Sequence, residues 1–434
     1  MARFLITVVP ALGHINPTMP IAEELKRRGH DIAYASGSDM QQYIENQGFR
    51  FFTAGFPSFK HYTSYALRKM FEYQGLVSNA FFFKVLIEYN RKLIVDLPPV
   101  IQAYKPDVLL VDCITHGGAQ LAEVLNLPWA TSHPIPGLIP SRDATPFTSW
   151  GLPPSQNPAV RACYRIIRLG QGLFYRMFDP AFNSIRASLN LPPLRHCVVT
   201  NTLSPYLILI PTCEGFEYAR SDWPPQAHLI GPAPWGKVSA QDDECAWIDA
   251  LPHDRQIIYV TLGTVQVFRS LDFYKTVIAA LRDEGYFVVM SIGPVLDKKE
   301  LEPVPEGFRI EPFVPHAKIL PRCAAVIHHG GQGIAQDCIY HGLPSLVVPI
   351  SQDLYEIATR CVSAGVSLKI PYPRLTPQRL RDALRKVLTD QSIRAATNSL
   401  QARFRATNAG ATGATLLEQL ARTKQPVYRP GSAS

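Results

Sequence analysis

Apolar and polar positions change period along this chain, and the changes mark out alternating strands and helices. Phe4 to Val9 is an apolar run broken only by Thr7, as expected of a strand buried on both faces. Met19, Ile21, Ala22 and Leu25 then recur at helical spacing within Pro17 to Arg28, and Gly29 supplies the stop. Asp31 to Ser36 reads as the next strand, with further buried strands at Val108 to Val111 and Pro128 to Ser132. A second series places strands at Ile257 to Thr261, Phe287 to Ser291, Ala324 to Ile327 and Leu346 to Pro349. Such alternation calls for a parallel sheet covered on both faces. A chain of 434 residues exceeds one ordinary core, so the fold class expected is α/β with two doubly wound, Rossmann-like domains.

Punctuation between the two series sets the boundaries. Leu229 to Lys237 carries the prolines and glycines of a linker, giving a first domain at 1–230, a linker at 231–246 and a second domain at 247–410. Gly413 to Thr423 has a last helical pattern, and 426–434 is expected to be a disordered tail. Two blocks fit neither series. Phe51 to Phe83 is dense in aromatics, and Pro134 to Pro193 mixes prolines with a basic amphipathic stretch around Tyr164 to Phe178. Insertions of this kind on an α/β scaffold usually carry specificity.

Composition narrows the classes. Hydrophobic residues at 47% and charged residues at 18% describe a globular chain, not a disordered one. The net charge of +8 suits an anionic ligand, and equally an acidic membrane surface or nucleic acid. With no zinc-finger spacing, aromatic ribonucleoprotein motif or lysine run, nucleic acid is not expected as a partner. Eight scattered cysteines without a CxxC pair fit reduced thiols. No apolar run approaches the roughly 18–20 residues of a membrane span. A cytoplasmic, soluble protein is therefore expected. Arg161, Arg165, Arg168 and Arg176, interleaved with Ile166, Leu169, Leu173 and Met177, leave two readings open: a core-facing helix with a solvated basic side, or peripheral membrane contact.

Candidate chemistry concentrates at predicted strand ends. Ala324 to Ile327 leads into His328-His329-Gly330-Gly331-Gln332-Gly333 and then a helical pattern. A glycine-rich turn there aims backbone N–H groups at a diphosphate, to which His329 adds a hydrogen bond or a positive charge. The run Ser345 to Ile350 delivers Asp353 and Glu356 where sugar hydroxyls are held. A nucleotide-sugar fits both. In the first series, His14 follows the first strand and can serve as a general base. Asp112 ends a strand and either orients an imidazole or caps a following helix. Gly263-Thr264 follows another strand. No Asp-x-Asp motif occurs and His328-His329 is too tight for usual zinc spacing, so no metal and no cofactor beyond the co-substrate is expected.

These motifs together resemble the donor and acceptor signatures of the UDP-glycosyltransferase superfamily, inverting enzymes of the glycosyltransferase-B fold, and in particular its bacterial macrolide and carotenoid branch. The matching residues are Val314-Pro315-His316, His329 to Ile334, Asp337, Asp353-Leu354 and Gly13-His14-Ile15-Asn16-Pro17. The resemblance implies two domains facing across a cleft, with the helix at 411–425 packing back on the first. It implies His14 as general base supported by Asp112, and donor contacts from Gly263, Thr264, Val314, His316, His329, Gly331, Gln332, Gly333, Asp337, Asp353 and Leu354. Ile15, Phe82, His133 and Phe147 would face the acceptor. Four identities depart from the pattern: Ile334 for a hydroxyl residue, Asp337 for a glutamate, and His316 and Leu354 for glutamines. The activity implied is metal-independent, inverting transfer of a hexose from a nucleotide diphosphate sugar, a UDP-sugar first, to a hydroxyl of a lipophilic terpenoid, carotenoid or polyketide. The rivals are a nucleotide-sugar 2-epimerase and a degenerate, non-enzymatic auxiliary protein.

Overall fold

The apolar runs become the centres of two parallel sheets. The structure is a computed structural model that describes all residues except 58–68, 70–72, 74, 149, 237–244, 264–269, 294–295, 352 and 432–434. Two compact units emerge: Met1–Phe147, Pro154–Ala233 and Thr407–Ser434 form unit 1, while Thr148–Pro153 and Pro234–Ala406 form unit 2. The excursion of 148–153 into unit 2 has no herald in the sequence pattern.

Unit 1 contains β1 (Arg3–Thr7), β2 (Asp31–Ser36), β3 (Arg50–Thr53), β4 (Val108–Asp112), β5 (Trp129–Ser132), β6 (Leu207–Ile210) and β7 (Ala227–Leu229). Their order is β3-β2-β1-β4-β5-β6-β7, and every neighbouring pair is parallel. Unit 2 contains β8 (Ile257–Thr261), β9 (Phe287–Ser291), β10 (Phe308–Glu311), β11 (Cys323–His328), β12 (Ser345–Val347) and β13 (Ser367–Lys369). These lie in the order β10-β9-β8-β11-β12-β13, again all parallel. In each sheet the chain runs outward to one side and then returns to build the other. The switch points fall between β1 and β4 and between β8 and β11, where open α/β sheets leave a crevice at their carboxyl ends.

Central strands are continuous apolar runs because helices cover both of their faces. Leu5, Leu109, Val260 and Val326 are fully buried, each contributing about 1.5–3 kcal/mol. Edge strands such as β7 and β13 lack that signal, whereas β6 is a fully buried Leu-Ile-Leu-Ile run too short to stand out. β3, β6, β7, β10 and β13 are three or four residues long and were not anticipated by the pattern. Phe51 and Phe52 of the aromatic block lie on β3, and Phe52 packs on Tyr104 inside unit 1. Phe59, Tyr62, Tyr65 and Phe71 of the same block lie outside the described residues.

The last helix, Ala409–Thr423, packs on the helix Met19–Arg27 within unit 1. Side chains other than glycine would obstruct it: a Cβ at Gly413 would lie 2.8 Å from Ile21, and one at Gly410 would lie 2.7 Å from the Pro20 carbonyl oxygen. Arg28 donates to Glu418 at 2.7 Å and His30 pairs with the same carboxylate at 2.9 Å. The expectation of a disordered tail is corrected for the residues described there. Val427 is buried, its N–H donates to the Tyr206 carbonyl, and Arg429 donates from its backbone to Pro225. One apolar side chain and a short run of backbone bonds suffice to hold the strand of chain down.

Candidate functional site

Unit 1 brings His14 and Asp112 together at its switch point. His14 sits in the short helix Leu12–Ile15 after β1, and Asp112 is the last residue of β4. Parallel pairing of β1 with β4 sets Thr7 opposite Val111, so both strands deliver their ends to one edge. His14 Nδ1 lies 2.7 Å from Asp112 Oδ2, with side-chain exposures of 15% and 1%. The other carboxylate oxygen accepts the Ile114 N–H at 3.1 Å. Asp112 does not cap the helix His116–Val124, whose N-cap is Thr115. A buried carboxylate facing Nδ1 fixes the tautomer with the proton on Nδ1, so Nε2 is the basic nitrogen.

Cys113 completes a group of three donor atoms within 4.8 Å of one another. Burial pushes its thiol well above the ordinary range, so without a metal ion it stays protonated and uncharged beside the pair. The trio has the chemistry of a proton-accepting pair beside an inert thiol. His133 lies nearby and is buried, its Nδ1 has no hydrogen-bond partner, and burial first, then Arg220 and His14, lower its pKa to about 3. His116 is likewise held near 3 by burial. Ile15 is fully buried and turns into the core. Phe82 packs against Phe83, beside Phe174, Phe178 and Phe182, and the Phe147 carbonyl accepts the Gln171 side-chain amide. Of the four residues expected to face an acceptor, Phe82 is the one in an aromatic cluster among the described residues.

Unit 2 brings Gly263, His329 and Gly331 together at the other switch point, β8 pairing with β11 so that His328 faces Thr261. The His329 ring sits between two glycines: a Cβ at Gly263 would lie 2.7 Å from Cε1, and one at Gly331 would lie 2.7 Å from Nε2. Gly263 also has φ +71° and Gly330 φ +95°, both in the left-handed region. Burial lowers the His329 pKa to about 4, so the ring is neutral at pH 7. Of the two options read from the sequence, the ligand-free ring offers a hydrogen bond and no charge.

The preceding residue does work that sequence reasoning missed. His328 Nδ1 accepts the Gly330 N–H at 3.1 Å while Nε2 faces Ser345 Oγ at 3.1 Å, which in turn faces Ser367. One turn amide is thereby committed to protein. The amides of the first turn of Gln332–Tyr340 have no intrahelical acceptors and remain for a ligand. Both polar atoms of the Gln332 side chain are buried without a partner, as a group awaiting one would be.

Other candidates are placed differently from one another. His316 Nδ1 lies 2.9 Å from Asp337 Oδ2, a hydrogen-bonded contact that the spacing of 21 residues does not reveal. Val314, Ile334 and Leu354 are buried in the core of unit 2. Leu354 therefore offers its backbone, whose carbonyl lies under Gly330. Asp353 occupies the N-cap position of Leu354–Ser363, and Thr264 lies outside the described residues. Glu356 corrects the expectation of a sugar-binding carboxylate. It is 1% exposed, accepts the Thr148 N–H at 2.8 Å and faces Arg360 at 3.6 Å. Burial, opposed by Arg360, raises its pKa to about 7.

Comparison with known proteins gives a consistent picture. Residues 277–419 match the family described as Erythromycin biosynthesis protein CIII-like, C-terminal domain. The chain is 28% identical to 4'-demethylrebeccamycin synthase of Lentzea aerocolonigenes, over 96% of this chain and 99% of that one. In fold it is similar to the calicheamicin glycosyltransferase CalG4, with a TM-score of 0.74 at 17% identity, covering 98% of this chain and 99% of the other. It is also similar to the spinosyn rhamnosyltransferase SpnG complexed with thymidine diphosphate, with a TM-score of 0.67 at 21% identity, covering 97% and 100%. These likenesses share the glycosyltransferase-B fold with the two sheets described above.

Proposed function

Because the chain belongs to the UDP-glycosyltransferase superfamily, we propose that it transfers a sugar from a nucleoside diphosphate donor to a hydroxyl of a lipophilic natural product. The observation that carries this reading is the 2.7 Å contact of His14 with buried Asp112. His14 Nε2 takes the acceptor proton and Asp112 stabilises the imidazolium. The acceptor oxygen forms a bond to the anomeric carbon as the bond to the diphosphate breaks, inverting that carbon. Charge growing on the leaving diphosphate is met by helix amides and by the neutral His329, with no proton taken from solvent. Polyketide-type acceptors come first, since a relative is named demethyllactenocin mycarosyltransferase.

The donor is proposed to be a thymidine diphosphate sugar ahead of the uridine form. Asp337 is shorter than the glutamate expected to hold a ribose diol, and His316 already engages it at 2.9 Å. A deoxyribose, which lacks the 2′-hydroxyl, makes less demand on that carboxylate. SpnG, a fold neighbour, binds thymidine diphosphate. Thermal shift with both diphosphates tests this: thymidine diphosphate should stabilise the protein more at equal concentration. Stronger stabilisation by uridine diphosphate would overturn the donor assignment. His14→Ala retaining full transfer would overturn the mechanism.

A further inference from the structure

Unit 1 holds a second polar site that shares no residue with the one above. The helix Pro158–Arg176 contains no acidic residue. Arg161, Tyr164, Arg165 and Arg168 recur on it at i, i+3, i+4 and i+7, which puts them on one face. They line a shallow depression together with Arg142, Asp143, Thr145 and Ser155. Beside it Asp222 accepts the Ser141 hydroxyl at 2.8 Å and the Arg142 backbone N–H at 2.6 Å, and the lining itself sets four guanidinium groups against one carboxylate, Asp143. That carboxylate is already engaged, since Asp143 accepts both the N–H and the hydroxyl of Ser221 at 2.7 Å. Arg168 donates to the Ala144 carbonyl. Among the described residues, the guanidinium groups of Arg142, Arg161 and Arg165 have no hydrogen-bonded or ion-paired partner.

Two features make this arrangement unfavourable as it stands. Like charges gathered in one depression repel, and Arg168 feels this: burial first lowers its pKa, Asp222 opposes the shift, and Arg161 and Arg165 add to it. In addition, the Thr145 hydroxyl is buried without any partner, in a residue 8% exposed. A planar carboxylate is satisfied by one arginine through two parallel bonds. Three unpaired guanidiniums with an idle hydroxyl instead match a tetrahedral group with more oxygens and more charge.

We propose that Arg142, Arg161, Arg165, Arg168 and Thr145 form a binding site for a phosphate monoester or diester. The group can come from a soluble phosphorylated molecule or from a phospholipid headgroup. The second source is suggested by Ile166, Leu169, Leu173 and Met177, which stand 68–73% exposed along the same helix beside the arginines. The donor diphosphate has its own cradle in unit 2, so this site needs a separate ligand.

The test uses the full-length protein. Inorganic phosphate is titrated against chloride at equal ionic strength, with calorimetry and the unfolding midpoint as readouts. Phosphate should bind and raise the midpoint beyond chloride. The double variant Arg161→Gln/Arg165→Gln should weaken binding roughly tenfold or more, and Thr145→Val severalfold. Arg176→Gln, which lies off the depression, should leave it unchanged. A second arm floats the protein with phosphatidylcholine vesicles, alone or with phosphatidylglycerol. Recruitment by phosphatidylglycerol that is lost both in the double variant and in Leu169→Ser/Leu173→Ser assigns the headgroup as the source. Phosphate binding without vesicle recruitment assigns a soluble phosphate. A protein indifferent to phosphate and to phosphatidylglycerol, or a double variant that binds like the parent, overturns the proposal.

Discussion

His14 follows the first strand of one sheet and His329 follows the fourth strand of the other, each beside a switch point. His14 keeps 15% of its side chain in solvent and faces a carboxylate at 2.7 Å. His329 is buried between two glycines, its Nδ1 has no partner, and its pKa is lowered to about 4. The two strand ends that flank each switch point therefore supply, in one sheet, a histidine able to gain a proton and, in the other, one kept neutral by burial. Position in the fold assigns a site to each; the neighbours assign the chemistry. A base must change charge during turnover, whereas a cradle for a dianion works best when its shape stays fixed.

The contrast breaks most directly at His14. His14→Ala should lower kcat by about 10²–10⁴ while donor binding by calorimetry stays within twofold. A matching loss of donor affinity would mean the two histidines act as one site. The buried histidines predict the next effect. His116, His133 and His328 sit near 3 and His329 near 4, all lowered by burial from 6.5. Their folded values are depressed, so the stability they confer is complete above 6.5 and is lost as pH falls from there toward 3–4. Chemical denaturation between pH 7 and 5 should show a fall on the order of 1 kcal/mol per pH unit for each such group.

The cradle is sharpened by its glycines. Gly330→Ala forces a Cβ to 2.7 Å from the Leu354 carbonyl at φ +95°, and should cost about 1–3 kcal/mol in stability. Gly263→Ala pushes on the His329 ring and should weaken donor binding more than it lowers stability. A carboxylate in the same unit gives the opposite pH sign from the histidines. The Glu356 pKa is raised to about 7, so the folded state holds the proton more tightly and stability falls as pH rises from about 4.5 to 7. Glu356→Gln should remove a loss on the order of 2–3 kcal/mol across that window. The smallest effect belongs to the partly exposed pair of His316 with Asp337. His316→Gln should change stability by less than about 1 kcal/mol while shifting the preference between thymidine and uridine diphosphate.

Periodicity made the centre of each sheet legible because buried parallel strands are unbroken apolar runs. Asp31–Ser36, Ile257–Thr261 and Phe287–Ser291 fall where the pattern puts them. Short outer strands such as β7 and β13 were invisible, since three residues carry no period. Among site residues, motif spacing brought out His14, Asp112, His329 and the glycine turn. It could not show that His316 reaches Asp337, that His328 ties down Gly330, or that Glu356 turns inward. Those are facts of side-chain direction across elements far apart in sequence. The orphaned Gln332 amide was likewise unreadable, because vacancy is defined only once the neighbours are placed.

The seam between Met19–Arg27 and Ala409–Thr423 has a consequence for how the molecule is made. A ribosome releases the first two segments of unit 1 well before residues 407–434 exist. Until then the face carrying Ile21, which Gly413 later covers, stands open to water. Pro234–Ala406, nearly all of unit 2, is synthesised in the interval, so the unit that starts first finishes last, against the usual amino-terminal order. Nascent chains halted after Ala406 should give a protease-resistant unit 2 beside a sensitive unit 1, and equal resistance of both would refute that order. During this interval a chaperone would find its target on unit 1.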